Sequence, residues 1–207
     1  AGLPSMLGGS CGVPLFLSPW PFGCFDEPMF LSVVIPTYNR RPILEKALRA
    51  LERQQLSDPI SAYEVVVVDD GSSDDTVAWL RAEAATFPHV RLIEQDHGGP
   101  AEGRNRGVEN AKGEVIVFID SDLVVTEGFL LAHATALEAQ WQRSGNRLCF
   151  TYGAVINTAN FEQPTSEPHK LRDLSWAYFA TGNVAIDRQL LERSGLFDTC
   201  LLYTSPS

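Results

Sequence analysis

The sequence predicts an α/β fold with a mostly parallel central sheet, and three observations lead there. Short runs of β-branched and aromatic residues, apolar throughout, alternate with stretches of helical period. The alternation continues from Phe30 to Ile119 at the pitch of strand–helix–strand units. The runs also end in polar clusters: Thr37-Tyr38-Asn39, Asp69-Asp70-Gly71-Ser72 and Asp120-Ser121-Asp122. In a parallel sheet the carboxyl ends of the strands share one edge, and ligands bind there. Delivery of polar residues to one edge by three separate strands exceeds what solubility requires.

In chain order, residues 30–35 form a buried strand closed by Pro36. Pro42 suits the first turn of a helix, along which Leu44, Ala47, Leu48 and Leu51 recur at helical spacing. Residues 63–68 form a second strand. The turn after it doubles as a helix N-terminus, with Val77, Leu80 and Ala84 on one face. Residues 90–93 are a third, shorter strand. Gly98-Gly99-Pro100-Ala101 opens a helix through Arg104, Asn105 and Val108, which Lys112-Gly113 closes. Residues 115–119 are the fourth strand. A helix over 126–142 comes next, with Phe129, Leu130, Ala134, Leu137 and Trp141 inward. Residues 147–152 predict a strand, 157–173 a polar loop punctuated by proline, 181–186 a turn into a strand, and 187–194 a helix.

At 207 residues, with 44% hydrophobic and 20% charged, the chain can bury a proper core. The net charge of −10 argues against nucleic acid or an anionic membrane as a general partner. Cys11, Cys24, Cys149 and Cys200 form no CxxC pair and have no nearby histidine. That argues against zinc and a disulfide framework, and for a reducing compartment. No run reaches the length of a membrane span. Residues 1–28 are rich in Gly, Pro and aromatics and contain no Lys or Arg, so they are expected to be a leader outside the domain, with Met29 the natural initiator. The domain is expected over 29–198, with an unrelated tail at 199–207.

Two carboxylates two residues apart at the tip of a buried strand have two explanations. Aspartates end strands and cap the next turn or helix. They also suit a hard divalent cation that keeps open positions for phosphate oxygens. The polar clusters at the other strand ends favour the second.

Four segments, in order, resemble the family 2 glycosyltransferases: Val33-Val34-Ile35-Pro36-Thr37-Tyr38-Asn39-Arg40, Val67-Val68-Asp69-Asp70-Gly71-Ser72-Ser73-Asp74, Gly98-Gly99-Pro100-Ala101 with Arg104, Asn105 and Gly107, and Phe118-Ile119-Asp120-Ser121-Asp122. The resemblance implies a GT-A fold, a Rossmann-like three-layer α/β/α arrangement. It implies inverting transfer of a sugar from a nucleoside-diphosphate sugar, UDP-sugar foremost, to a hydroxyl on a glycan, lipid-linked or other acceptor. Pro36, Thr37 and Tyr38 would then line the nucleotide pocket. Asp70, or else Asp69, would accept a hydrogen bond from the base, while the other caps the next helix. Gly99, beside Gly98, would allow close backbone approach, and Arg104 would face the phosphates. Asp122 would ligate Mg²⁺ or Mn²⁺, with Asp120 at the ribose or in the ion's water shell. Gly182 and Asn183, after Thr181, would lie on the acceptor side. The resemblance also implies a cytoplasmic site of action, peripheral to the inner membrane face for a lipid-linked acceptor.

One departure stands out. The family's general base lies in a Glu-Asp pair soon after a Gly-Gly-Phe-Asp-like segment. Gly195-Leu196-Phe197-Asp198 is that segment here, and no acidic residue comes after it. The base is therefore expected outside these residues, with slow turnover by the chain as given. A nucleotide-binding module without catalysis is the alternative; a nucleotidyltransferase is disfavoured because the loop after the first strand lacks a Gly-rich, basic character.

Overall fold

The computed structural model describes residues 27–156, 174–175 and 182–199. The expectations for most of the leader, the loop at 157–173, Thr181 and the tail beyond Thr199 lie outside the described residues. The elements run β1 (Met29–Thr37), α1 (Arg41–Leu51), β2 (Ile60–Asp69), α2 (Thr76–Ala82), β3 (Val90–Glu94), α3 (Pro100–Asn110) and β4 (Val115–Ile119). After them come α4 (Phe129–Ser144), β5 (Phe150–Tyr152), β6 (Val155–Ile156), β7 (Leu174–Ser175), β8 (Asn183–Asp187) and α5 (Arg188–Arg193).

Valine and isoleucine dominate β1, β2 and β4 because a branched side chain packs well on a pleated surface covered from both sides. The main sheet has the order β3-β2-β1-β4-β8-β5. β1 lies at its centre, parallel to β2 and β4, with Val33 opposite both Val65 and Val117. β8 runs antiparallel to β4 and β5, so the expected mostly parallel sheet carries one reversed strand. β6 and β7 pair separately.

Period-2 alternation sorts the strand residues into two cores. Leu31, Val33, Ile35, Val65, Val67, Val117 and Ile119 meet α1, α2 and α4 on one face. Val34, Val66, Val68, Ile116 and Phe118 meet Val108 of α3 and Leu191 of α5 on the other. This is the expected three-layer α/β/α arrangement. α3 lies unusually close to the sheet: a Cβ at Gly107 would collide with the Val34 side chain, and one at Gly103 would stand 3.1 Å from Pro36 Cβ.

Three details differ from the sequence reading. The buried face of α2 is Thr76, Trp79 and Leu80, and the helix ends before Ala84. Trp79 makes the larger apolar contact, packing edge-on against Phe87 at 5.6 Å. β5 begins at Phe150 because Leu148 N–H donates to Asn146 Oδ1 and Cys149 N–H to the Arg147 carbonyl, a local turn that takes the donors a longer strand would use. In α4, His133 joins the buried face unforeseen, while Phe129 packs against the core as expected but is only half-buried.

Glu64 in β2 fastens the strands to the α3–β4 turn. Its carboxylate accepts from Ser32 Oγ at 2.7 Å, Lys112 N at 2.6 Å and Arg91 Nη2 at 3.1 Å. Burial alone would raise its pKa, but these hydrogen bonds outweigh burial and hold it below the usual carboxylate range. A depressed folded pKa adds stability above the unfolded pKa, and this is lost as pH falls through the folded value. Glu64→Gln is expected to destabilise the protein by about 2 kcal/mol at neutral pH. Denaturant titration at several pH values should show the gap to wild type narrowing as the medium becomes acidic.

Candidate functional site

The carboxyl ends of β1, β2, β3 and β4 meet along one edge, and a cleft of about 340 Å³ opens there. It is lined by Pro36, Thr37, Tyr38, Arg40, Asp70, His97, Pro100, Arg104, Asp120, Ser121 and Asp122. All three sequence-predicted polar clusters contribute. Thr37 is 3% exposed, and its hydroxyl has no hydrogen-bond partner among the described residues. Tyr38, the next residue, is 43% exposed and lines the cleft, with the His97 ring 4.4 Å from its own.

The loops after β1 and β2 are laced together. Asn39, at φ 51°, accepts from Ser73 N at 2.7 Å and Asp74 N at 3.1 Å through Oδ1. Asparagine tolerates this left-handed geometry better than most residues. The two neighbouring aspartates differ in their partners, and neither caps α2 as was expected of one of them; the N-cap there is Asp75. Asp69 accepts from Ser72 N at 2.9 Å, a turn-closing bond, and does not line the cleft. Asp70 does line it, although only 4% exposed.

Burying a carboxylate requires donors, and Asp70 has them. Its Oδ1 accepts from Gln95 Nε2 at 2.7 Å and Gly98 N at 2.8 Å. Its Oδ2 accepts from Gly99 N at 2.9 Å and stands 2.9 Å from His97 Nδ1. Gly99 adopts φ 91°, which lets the chain turn its amide onto Asp70 immediately before α3 begins at Pro100.

At the β4 end, each carboxylate of the Asp-x-Asp pair faces an arginine. Asp122 Oδ2 meets Arg40 Nη1 at 2.6 Å, with both side chains about half exposed. Asp120 Oδ1 meets Arg104 Nη2 at 2.6 Å. Arg104 is 11% exposed and is held from behind, its guanidinium 5.8 Å from the centre of the Phe197 ring. Phe197 is fixed in turn. Asn105 Nδ2 donates to its carbonyl at 2.9 Å, its own N–H donates to Asn105 Oδ1 at 3.0 Å, and its ring packs edge-on against Phe118 at 5.1 Å. The Gly195–Asp198 segment is thus tied to α3.

Gly182 packs beside this pair: a Cβ there would stand 3.0 Å from Asp120 Oδ2. Asn183 opposes Ile119 across the β4–β8 ladder. Its Oδ1 lies 2.8 Å from His133 Nε2, whose Nδ1 lies 2.7 Å from Thr151 Oγ1. Burial lowers the pKa of His133 despite the Asn183 bond, favouring the neutral ring.

Among the described residues, no three or more His, Cys, Asp or Glu side chains cluster to hold a metal ion. Asp120 and Asp122 nonetheless present hard oxygen donors, about half exposed, beside a cleft with room for further oxygen ligands. This donor set fits a Mg²⁺ or Mn²⁺ ion completed by phosphate and water, and does not fit a cage built from protein alone.

Sequence reasoning missed Arg40, Gln95, His97 and His133. The first three were recoverable: Arg40 ends a quoted motif, and Gln95 and His97 stand at the carboxyl end of β3, where the same edge rule applies. His133 was hidden because it lies on the face of a helix far from its partners in sequence.

The sequence profile described as Glycosyl transferase family 2 matches residues 32–194, and the chain belongs to that family. It is 34% identical over 110 residues to the uncharacterized glycosyltransferase YfnE of Bacillus subtilis, covering 53% of this chain and 27% of that one. It is 34% identical over 102 residues to the GalNAc(5)-diNAcBac-PP-undecaprenol beta-1,3-glucosyltransferase of Campylobacter jejuni, covering 48% and 32%. Among solved structures, the mannosyltransferase PcManGT from Pyrobaculum calidifontis, in complex with GDP-Man and Mn²⁺, superposes with a TM-score of 0.56 at 27% identity, covering 84% of this chain and 49% of that one. The fold is GT-A, and the matched segments span about a third or less of these two curated relatives.

Removing the Asp70 carboxylate should strand Gln95 and two backbone amides. Asp70→Ala is expected to cost about 3 kcal/mol of folding stability, read by chemical denaturation, with Asp70→Asn losing less because one acceptor remains.

Proposed function

We propose that the protein is a glycosyltransferase that takes a sugar from a nucleoside-diphosphate donor and passes it, with inversion, to a hydroxyl acceptor. The observation that carries this reading is the arrangement around one cleft: a stacking face at Tyr38, a buried acceptor at Asp70, and two arginine–aspartate pairs beyond them. These are the parts that a base, a diphosphate and a cation each require.

The base lies on Tyr38 and directs an imide-type N–H to Asp70. Both uracil and guanine carry such a donor, and UDP is the favoured carrier. Pro36 and Thr37 form the pocket wall, and Gly99 allows the close approach. Arg104 and Arg40 receive the diphosphate, guanidinium being suited to phosphate oxygens. A Mg²⁺ or Mn²⁺ ion on Asp122, with Asp120 beside it, would neutralise charge on the leaving diphosphate. The Mn²⁺ and GDP-Man in the related mannosyltransferase support a divalent ion and a nucleotide-sugar donor. Gly182 and Asn183 border the acceptor side, where His133 and Thr151 fix the Asn183 amide. The name of the Campylobacter relative supports a lipid-diphosphate-linked glycan as one acceptor class. No described helix is long and apolar enough to cross a membrane. Inversion requires a base opposite the leaving group, and no described residue is assigned that role.

Calorimetric titration of UDP and GDP, with and without Mn²⁺, tests the donor site. Binding of one nucleotide should depend on Mn²⁺ and weaken about tenfold or more in Asp122→Asn. Binding indifferent to both the ion and the substitution would overturn the metal assignment. Binding of neither nucleotide by the folded chain would overturn the donor site.

A further inference from the structure

We infer that His97 occupies the nucleobase position in the free protein, and that a nucleotide binds by displacing it. The inference rests on the donor site proposed above and adds a residue to which neither the sequence reading nor the comparisons assign a role.

Two contacts define the position of His97. Its ring lies over Tyr38 with centroids 4.4 Å apart and planes 34° from parallel. Its Nδ1 stands 2.9 Å from Asp70 Oδ2 and 3.1 Å from the Asp70 carbonyl. Both partners are acceptors, so Nδ1 carries the hydrogen. An aromatic ring that lies against Tyr38, with its N–H on the Asp70 carbonyl and its Nδ1 beside the carboxylate, fills the place where this cleft would take a base.

Position turns this likeness into competition. The Asp70 carboxylate accepts from Gln95, Gly98 and Gly99, and with roughly four lone-pair directions it has one left for a ligand. The His97 ring stands over it: Nδ1 is 2.9 Å from Oδ2 while its hydrogen goes to the Asp70 carbonyl. A base that lies on Tyr38 and reaches Oδ2 therefore needs the space that this ring fills. Gln95 is a half-buried side chain whose own backbone N–H is tied to the Asp69 carbonyl at 3.0 Å. His97 is 61% exposed and can rotate into solvent without breaking the fold. It is therefore the exchangeable group.

His97 thus sets an affinity threshold. A base with both a stacking face and an N–H donor replaces what it displaces, whereas a ligand with only one of these does not. Ligands that engage only the arginines and the Asp-x-Asp pair leave His97 in place. Apparent affinity for a nucleotide is reduced by the fraction of molecules in which His97 covers the site.

The test compares UDP with inorganic pyrophosphate, each with Mn²⁺, by calorimetry on the whole chain as wild type, His97→Ala and His97→Phe. His97→Ala is expected to bind UDP about three- to tenfold more tightly than wild type, a hydrogen bond's worth of competition having been removed. Pyrophosphate affinity should stay the same, which also shows that the variant is folded. His97→Phe, which keeps a stacking ring but no donor, should fall between wild type and His97→Ala. Weaker or unchanged UDP binding by His97→Ala would overturn the inference, since His97 would then contact the bound base or stand clear of it. A wild-type protein that binds pyrophosphate but neither UDP nor GDP would overturn the base site itself, and the role of His97 with it.

Discussion

A carboxylate that is 4% exposed cannot stand without donors, and the demands of Asp70 organise the edge of the sheet. Meeting them requires Gln95 at the end of β3 and the amides of Gly98 and Gly99 at the entrance to α3. The Asp70 amide in turn donates to the Thr37 carbonyl at 2.9 Å, extending the β1–β2 ladder by one bond. One residue, through its side chain and its amide, therefore fixes the ends of three strands and the start of the helix that carries Arg104. The same donors that stabilise the carboxylate also fix its place at the cleft, so its structural role and the recognition role proposed for it rest on one set of bonds.

The far side of the cleft is a product of close packing. With no side chain at Gly103 or Gly107, α3 settles onto β1 and brings Arg104 within 2.6 Å of Asp120. Phe197 then backs the guanidinium, and Asn105 holds Phe197 through two backbone bonds. In a chain of net charge −10, Arg40 and Arg104 are the cations that balance Asp120 and Asp122 locally. A divalent ion joining this group would compete with Arg40 for Asp122 and free the guanidinium for phosphate oxygens.

Much of this was legible in the sequence. Apolar runs such as Val65-Val66-Val67-Val68 marked strands covered on both faces, and the polar clusters that closed them marked the edge. One of the two adjacent aspartates was expected to cap the next helix; Asp69 instead closes a turn onto Ser72, ahead of α2. Other features escaped because they depend on contacts between distant segments. Trp79 outcompeted Ala84 for the face of α2 through Phe87, and local hydrogen bonds at Asn146 shortened β5. His133 bonds Thr151 and Asn183, residues 18 and 50 positions away, so its burial left no local trace. Nor could spacing alone show that His97 lies on Tyr38, far before it in the chain.

The most direct measurement is anomalous diffraction from a crystal of this protein grown with UDP and Mn²⁺. The proposed donor site predicts one manganese peak at coordinating distance from Asp122 and the diphosphate, with the uracil ring on Tyr38 and its N3–H on Asp70. A manganese ion or nucleotide bound elsewhere, with Asp70 and Asp122 uninvolved, would contradict a donor site at the carboxyl edge of the sheet.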